Sequence, residues 1–101
     1  MIVVMHGAKR RDGIDLDAYQ KLGSRMNELI ETIPGFISHD VVTTGNGERF
    51  SITKFASEES LAAWQNNPEH LAVKKRGREE FYTSAFVHVY KALREDDYKY
   101  V

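Results

Sequence analysis

The spacing of apolar residues switches between strand-like and helix-like periods along the chain, and the order of these segments constrains the fold most. Residues 2–5 form a nearly continuous apolar run, typical of a strand covered on both faces. Between Leu16 and Ile33 apolar residues recur every three or four positions, which predicts an amphipathic helix. Two alternating segments on either side of residues 45–47, Gly-Asn-Gly, then predict a β-hairpin. The predicted order is therefore strand, helix, strand, strand.

The second half of the chain predicts two short helices and a final strand. Ser57 is a good helix N-cap, and two glutamates follow it in the first turn, where the helix dipole favours negative charge. Asn67 and Pro68 repeat this start signal, so a second helix begins there and is expected to run to about Arg78. Apolar and polar residues then alternate over residues 81–91, which predicts the last strand.

The resulting order, β-α-β-β-α-β, is that of the ferredoxin-like fold, an α+β architecture whose antiparallel sheet has helices on one face. At 101 residues the chain makes one domain, residues 1–101, with a polar tail from about residue 94. The last strand has large apolar residues on both faces, as in Phe86 beside Val87. Because a second apolar face needs a partner to cover it, we predict a homodimer in which two sheets pack face to face.

The composition excludes several classes of function. Fourteen Lys and Arg against fifteen Asp and Glu give a net charge of −1, whereas non-specific nucleic-acid binding needs an excess of positive charge. Without Cys there is no disulfide, thiolate zinc site or thiol nucleophile. No segment has the apolar length that spans a bilayer, and residues 1–5 lack the charge order of a secretory signal. We therefore expect a cytoplasmic protein with no nucleic-acid or membrane partner.

Motifs from residue 34 onward resemble those of a known family. They are Pro-Gly-Phe-Ile at residues 34–37, Phe-Ala-Ser-Glu-Glu-Ser-Leu-Ala-Ala-Trp at 55–64, Pro-Glu-His at 68–70, Gly-Arg at 77–78 and Phe-Tyr at 81–82. In this order they resemble the antibiotic biosynthesis monooxygenase (ABM) domain, and the match covers nearly the whole chain. The resemblance implies a dimeric α+β barrel, with a ligand pocket between the helices and the sheet of each subunit.

The resemblance implies three different functions, because members of this family differ in activity. The first is oxidation of a small, flat phenol- or quinol-type substrate by molecular oxygen, without a metal or prosthetic group. The second is the binding and ring opening of haem, for which the family's Asn position falls near His6 and its haem-ligating His falls near Lys74, a turn beyond His70. The third is a non-catalytic dimeric module that binds a small ligand.

Four side chains are candidates for the functional site. Trp64 is either a core anchor or a pocket wall that stacks on a flat aromatic ligand. His70 is either a surface residue bonded to its own helix end or a base that accepts a phenol proton, since its unperturbed pKa lies close to neutral pH. His6, at the end of the first strand, is a second candidate base or a residue at a sheet edge or dimer seam. Tyr82 is a candidate hydrogen-bonding residue of the substrate pocket.

The other charged and ionisable residues give weaker signals. The basic run at residues 74–78 either clamps an anionic ligand or forms a solvated helix face balanced by the two glutamates that follow it. His39 and His88 are assigned to strand surfaces or to the dimer interface. No His or carboxylate lies three or four residues beyond His70 in a metal-binding pattern, so we predict no metal site.

Overall fold

The strands and helices of the chain follow the predicted order. A computed structural model describes all 101 residues. Its elements are, in chain order, β1 (Ile2–Arg10), α1 (Leu16–Glu31), β2 (Phe36–Thr43), β3 (Glu48–Phe55), α2 (Glu58–Gln65), α3 (Pro68–Arg76), a π-helical turn (Gly77–Phe81) and β4 (Tyr82–Lys91). The strands form one antiparallel sheet in the order β2-β3-β1-β4. The predicted ferredoxin-like α+β fold is confirmed, with α2 and α3 together in the place of its second helix.

Each helix begins at a capping residue. Asp15 caps α1, Ser57 caps α2 and Asn67 caps α3, and each side chain accepts a hydrogen bond from a backbone N–H group of the first turn. Pro68 is the first residue of α3, where the N–H that proline lacks would have no helical partner. The helix break therefore lies between Trp64 and His70, as the sequence predicts. None of the helices combines the length and the apolar character that crossing a membrane demands.

The hydrophobic core lies between the helices and the end of the sheet where β1 begins. Five buried residues form it: Ile2, Ile30, Ile33, Phe55 and Leu61. Phe55 has no exposed surface at all. Trp64 packs against this cluster but is itself only half-buried. Trp64 therefore packs against the core while part of its surface stays exposed, which agrees with a core anchor and leaves the pocket-wall role a prediction.

Two elements differ from the sequence prediction in length. β1 continues to Arg10 instead of ending in a loop at Gly7, because it pairs with β3 and β4 along its whole length. His6 consequently lies in the middle of the central strand and not at its end. α3 ends at Arg76 and not at about Arg78, because the π-helical turn begins at Gly77. The sequence contains no signal that predicts this turn.

The sheet face opposite the helices is apolar. The register places Met5 opposite Ile52 across β1 and β3, and Val42 opposite Phe50 across β2 and β3. Large apolar side chains on this outer face remain 38–64% exposed: Met5, Val42, Phe50, Ile52, Phe86 and Tyr90. The single chain leaves this outer face open, as expected for a surface that a partner covers, and the homodimer stays a prediction.

Candidate functional site

A cavity of about 930 Å³ lies between the inner face of the sheet and the helices. Side chains from all four strands, the three helices and the π-helical turn line it, so the whole fold contributes to its shape. Its volume falls in the range of pockets for small organic ligands. Trp64, His70, His6 and Tyr82 all line the cavity. The four residues singled out in the sequence thus meet around one space, and their chemical roles remain predictions.

His70 stacks on Trp64. Their ring centroids are 3.9 Å apart and the ring planes differ by 15°. The Nδ1 atom of His70 donates a hydrogen bond to the carbonyl oxygen of Trp64, at 2.9 Å. Because a carbonyl can only accept, this bond assigns the proton to Nδ1 and leaves a lone pair at Nε2 in the neutral ring. The helix break at Pro68 therefore does not separate the two residues, since α3 begins with His70 lying against Trp64.

The surroundings of His70 favour its neutral form. Burial lowers the pKa of His70 below its ordinary value of 6.5, the hydrogen bond to the Trp64 carbonyl opposes this, and the positive charge of Lys74 lowers the pKa further. The net direction is downward. At neutral pH the ring is therefore uncharged, and its Nε2 lone pair can accept a proton.

His6 has the opposite tautomer. A guanidinium nitrogen of Arg49, Nη1, donates to Nδ1 of His6 at 3.4 Å, so the neutral ring has its proton on Nε2. Burial and then the charges of Arg49 and Lys74 lower the pKa of His6 to about 4. This tautomer makes Nε2 of His6 a hydrogen-bond donor, whereas a base at that atom would need a lone pair.

Tyr82 is held as a neutral phenol. Its hydroxyl group shares a hydrogen bond with the hydroxyl group of Tyr19, at 2.9 Å, and its ring lies edge-on to that of His6, at 6.5 Å between centroids. Burial, followed by the hydrogen bond with Tyr19, raises the pKa of Tyr82 well above its ordinary value of 10.0. Tyr82 is therefore suited to hydrogen bonding and unsuited to act as a base.

Arg11 fixes the π-helical turn that brings Tyr82 to the cavity. Its guanidinium group donates to three backbone carbonyls, those of Arg78, Glu79 and Tyr82, at 2.9–3.0 Å. Isolated π-helical turns are frequent at functional sites. Position 77 is glycine, and a Cβ there would lie 3.1 Å from the ring of Tyr82. The sequence around Arg11 does not predict its hydrogen bond to the carbonyl of Tyr82, which lies 71 positions away.

His39 lies on the cavity side, which corrects its assignment to the strand surface or dimer interface. Its Nδ1 atom hydrogen-bonds the hydroxyl group of Thr53 at 2.6 Å, and burial, then the charge of Arg49, lowers its pKa. The alternation in β2 groups His39 with Val41, but alternation cannot say which face the helices cover. His88 lies on the outer face, opposite Met5 in the register, as assigned.

The basic residues at 74–78 have different surroundings, so each interpretation applies to only some of them. Arg76 forms an ion pair with Glu80, at 2.6 Å, on the solvated side. Lys74 and Arg78 line the cavity. No three His, Asp or Glu side chains lie close enough together to hold a metal ion. The site offers instead a proton acceptor at His70, donors at His6 and Tyr82, and an aromatic wall at Trp64.

Gly23, on the cavity side of α1, allows a direct test of the cavity. A Cβ at this position would meet nothing within 4 Å. Gly23→Ala should therefore stabilise the fold by about 0.5–1 kcal/mol, because alanine has the higher helix propensity. Gly23→Trp should instead project a large ring into the cavity. Denaturant titration of both variants measures their stability. The affinity for a ligand of the cavity should fall only in Gly23→Trp. Equal affinity of the two variants would contradict the position of Gly23 at the cavity.

Comparison with known proteins agrees with the fold and the motifs. A family model described as antibiotic biosynthesis monooxygenase matches residues 9–76 of the chain. The uncharacterized protein YqjZ of Bacillus subtilis (strain 168) is 30% identical over 77 residues, which are 76% of this chain and 68% of YqjZ.

Solved structures share the fold at low sequence identity. The structure of Rv0793 from Mycobacterium tuberculosis matches with a TM-score of 0.81 at 20% identity, and the match covers 95% of this chain and 98% of the Rv0793 chain. That of SnoaB, a cofactor-independent oxygenase from Streptomyces nogalater, has a TM-score of 0.76 at 10% identity and covers 93% and 94%. The structural likeness shows the fold, and the family model and YqjZ show the kinship: the chain belongs to the antibiotic biosynthesis monooxygenase family.

Proposed function

We propose that this protein is a monooxygenase that oxidises a small, flat phenol- or quinol-type substrate with molecular oxygen. The observation that supports this most is the stack of His70 on Trp64, in which Nδ1 is held by a backbone carbonyl and Nε2 keeps its lone pair beside an aromatic wall. Such a pair can bind a flat ring and remove its phenol proton. Membership of the family and the fold shared with SnoaB, a cofactor-independent oxygenase, agree with this chemistry.

The reaction balances with oxygen as the only co-substrate. His70 takes the phenol proton, and the electron-rich phenolate passes an electron to O₂. The two radicals then join through a new C–O bond at a ring carbon, giving a peroxide. Cleavage of the O–O bond, with loss of the ring hydrogen, leaves one oxygen atom as a quinone carbonyl and releases the other as water. The substrate supplies all four electrons, so the reaction needs no external reductant.

His6 and Tyr82 are assigned to hydrogen bonding in this reaction. Negative charge develops on oxygen when the phenolate reduces O₂, and N–H or O–H donors stabilise such charge best in a site that excludes water. The Nε2–H group of His6 is one donor, because Arg49 occupies its Nδ1. The Tyr82 hydroxyl group, kept protonated by burial, is the other.

Oxygen uptake with a panel of naphthols and anthrones tests the proposal. We expect uptake above the background rate, with one atom of ¹⁸O from ¹⁸O₂ in each quinone product by mass spectrometry. The Trp64→Ala, His70→Ala double variant should show background uptake only. Wild-type uptake equal to that of the double variant on every compound would end the proposal, and tight binding without turnover would indicate a non-catalytic ligand-binding module.

Haem binding is a second candidate, supported by the same hydrogen bond. A metal-bound histidine commonly donates its other ring N–H to a backbone carbonyl, as His70 does, so Nε2 of His70 would hold the iron if haem were bound. Bound haem would supply redox-active iron, and Lys74 and Arg78 are available to its propionates. Titration with hemin should then give a Soret shift that saturates at one haem per chain and is lost in His70→Ala. An unchanged Soret band would exclude this candidate.

The active form is expected to be a homodimer joined through the outer face of the sheet. Ile52→Glu would place an unpaired charge at the centre of that apolar face, which costs several kcal/mol once the face is buried. Light scattering should report two chains of 11.6 kDa for the wild type and one for this variant. Ala62→Glu, which adds the same charge to an exposed position of α2, is the control and should remain dimeric. A monomeric wild type, or a dimeric Ile52→Glu variant, contradicts this interface.

A further inference from the structure

The charge of the cavity is one-sided. The chain has fifteen Asp and Glu residues, yet none of them lines the cavity. Four cationic side chains do: Arg11, Arg49, Lys74 and Arg78. Although the chain has a net charge of −1, the charged side chains that line this cavity are all positive. The electrostatic potential of such a cavity favours an anion.

Two of these cations are suited to a ligand inside the cavity. Arg11 is already occupied by three backbone carbonyls, and Arg78 lies beyond α3, in the π-helical turn. Arg49 is half-buried, and its one side-chain hydrogen bond goes to Nδ1 of His6. Lys74 is exposed, but it lines the cavity and follows His70 by one turn of α3, so the two side chains project from the same side of that helix.

Neither Arg49 nor Lys74 has a carboxylate partner. The ion pairs of the chain all involve other basic residues: Lys9, Lys21, Arg25, Arg76 and Arg94. A half-buried guanidinium group without a counter-ion is costly, and its planar set of donors matches a carboxylate in geometry. Arg49 on the sheet and Lys74 on α3 therefore offer two cationic groups without an ion-pair partner to an anion in the cavity.

We infer that the substrate is an aromatic acid, whose carboxylate binds between Arg49 and Lys74 while its ring lies against Trp64 and His70. This deepens the proposed function and rests on the same cavity, because it names the class of the phenol: a hydroxylated aromatic carboxylic acid. The carboxylate neutralises the charges of Arg49 and Lys74, and the phenol group of the same molecule can give its proton to His70. A cavity of about 930 Å³ has room for a bicyclic acid of this kind.

Binding under anaerobic conditions tests the charge independently of turnover. The probes are 6-hydroxy-2-naphthoate and its methyl ester, which have nearly the same shape and differ in charge. By isothermal titration calorimetry the acid should bind about tenfold or more tightly than the ester, as expected for one charge-assisted contact. Raising the ionic strength should lower the affinity for the acid and leave the affinity for the ester unchanged.

Matched variants assign the effect to the two cations. Arg49→Gln and Lys74→Gln should each lower the affinity for the acid about tenfold and leave that for the ester unchanged, which also shows that the cavity is intact. Lys75→Gln removes the same charge from a residue of α3 that does not line the cavity, and it should change neither affinity. Equal binding of acid and ester, no binding of either, or an acid affinity indifferent to both cavity variants overturns the inference.

The two proposals fail in different ways. Tight, charge-dependent binding of the acid without oxygen uptake would keep the anion site and end the oxygenase function. An equal kcat/KM for the ester and the acid in oxygen uptake would support the oxygenase function and contradict the assignment of a carboxylate.

Discussion

Replacing His70 with asparagine is expected to lower the turnover number about 10²–10⁴-fold, the usual contribution of a general base. The asparagine amide nitrogen can still donate to the Trp64 carbonyl, as Nδ1 of His70 does, so the start of α3 should keep its conformation. What the variant lacks is the lone pair at Nε2. Oxygen uptake under saturating substrate measures the loss, and binding measured without oxygen should change little.

Chemical rescue and pH dependence distinguish a base from a merely structural His70. Imidazole added to His70→Ala should restore part of the rate, since the free base can occupy the vacated space. The wild-type rate should fall as pH decreases below 6.5, because the pKa of His70 is lowered and only the neutral ring accepts a proton. The acid limb should be absent in His70→Asn. A rate within threefold of the wild type in His70→Asn would remove His70 from the role of base.

The sequence specifies most of the fold because each element has a local signal. Asp15, Ser57 and Asn67 satisfy helix N–H groups wherever the chain folds, and the Gly-Asn-Gly turn tolerates positive φ independently of context. The length of β1 has no such signal, because residues 7–10 become a strand only through pairing with β3 and β4. The π-helical turn is likewise fixed by a distant group, the guanidinium of Arg11.

The site is predictable only in part, for a related reason. Trp64, His70 and Tyr82 are recognisable in family motifs and His6 by its place on the first strand, and all four line one cavity. Their protonation is not local information: Arg49 lies 43 positions from His6 and yet decides its tautomer. The positive charge of the cavity is predictable in part: the basic run at residues 74–78 is visible in the sequence, but only folding brings Arg49 to the same cavity and keeps the carboxylates away from it.

Truncation of Phe55 is expected to cause the largest loss of stability among the substitutions considered. Phe55 is fully buried, stands opposite Ile2 in the sheet register and packs edge-on to Phe36, with ring centroids 6.2 Å apart. Phe55→Ala removes this contact surface and leaves a void, which typically costs about 3–5 kcal/mol. Small domains have about 5–15 kcal/mol of stability in total, so this loss is a large fraction of the free energy of unfolding.

The same substitution connects the core to the cavity, because Phe55 lines both. Urea titration should show a lower midpoint with an unchanged slope, which identifies a change in stability and not in the denatured state. Phe55→Leu, which keeps most of the volume, should lose less than half as much. Trp64 packs against the same cluster, so the void should also loosen the wall on which His70 stacks and weaken ligand binding in the protein that stays folded. A loss of less than 1 kcal/mol in Phe55→Ala would contradict the position of the core between the sheet and the helices.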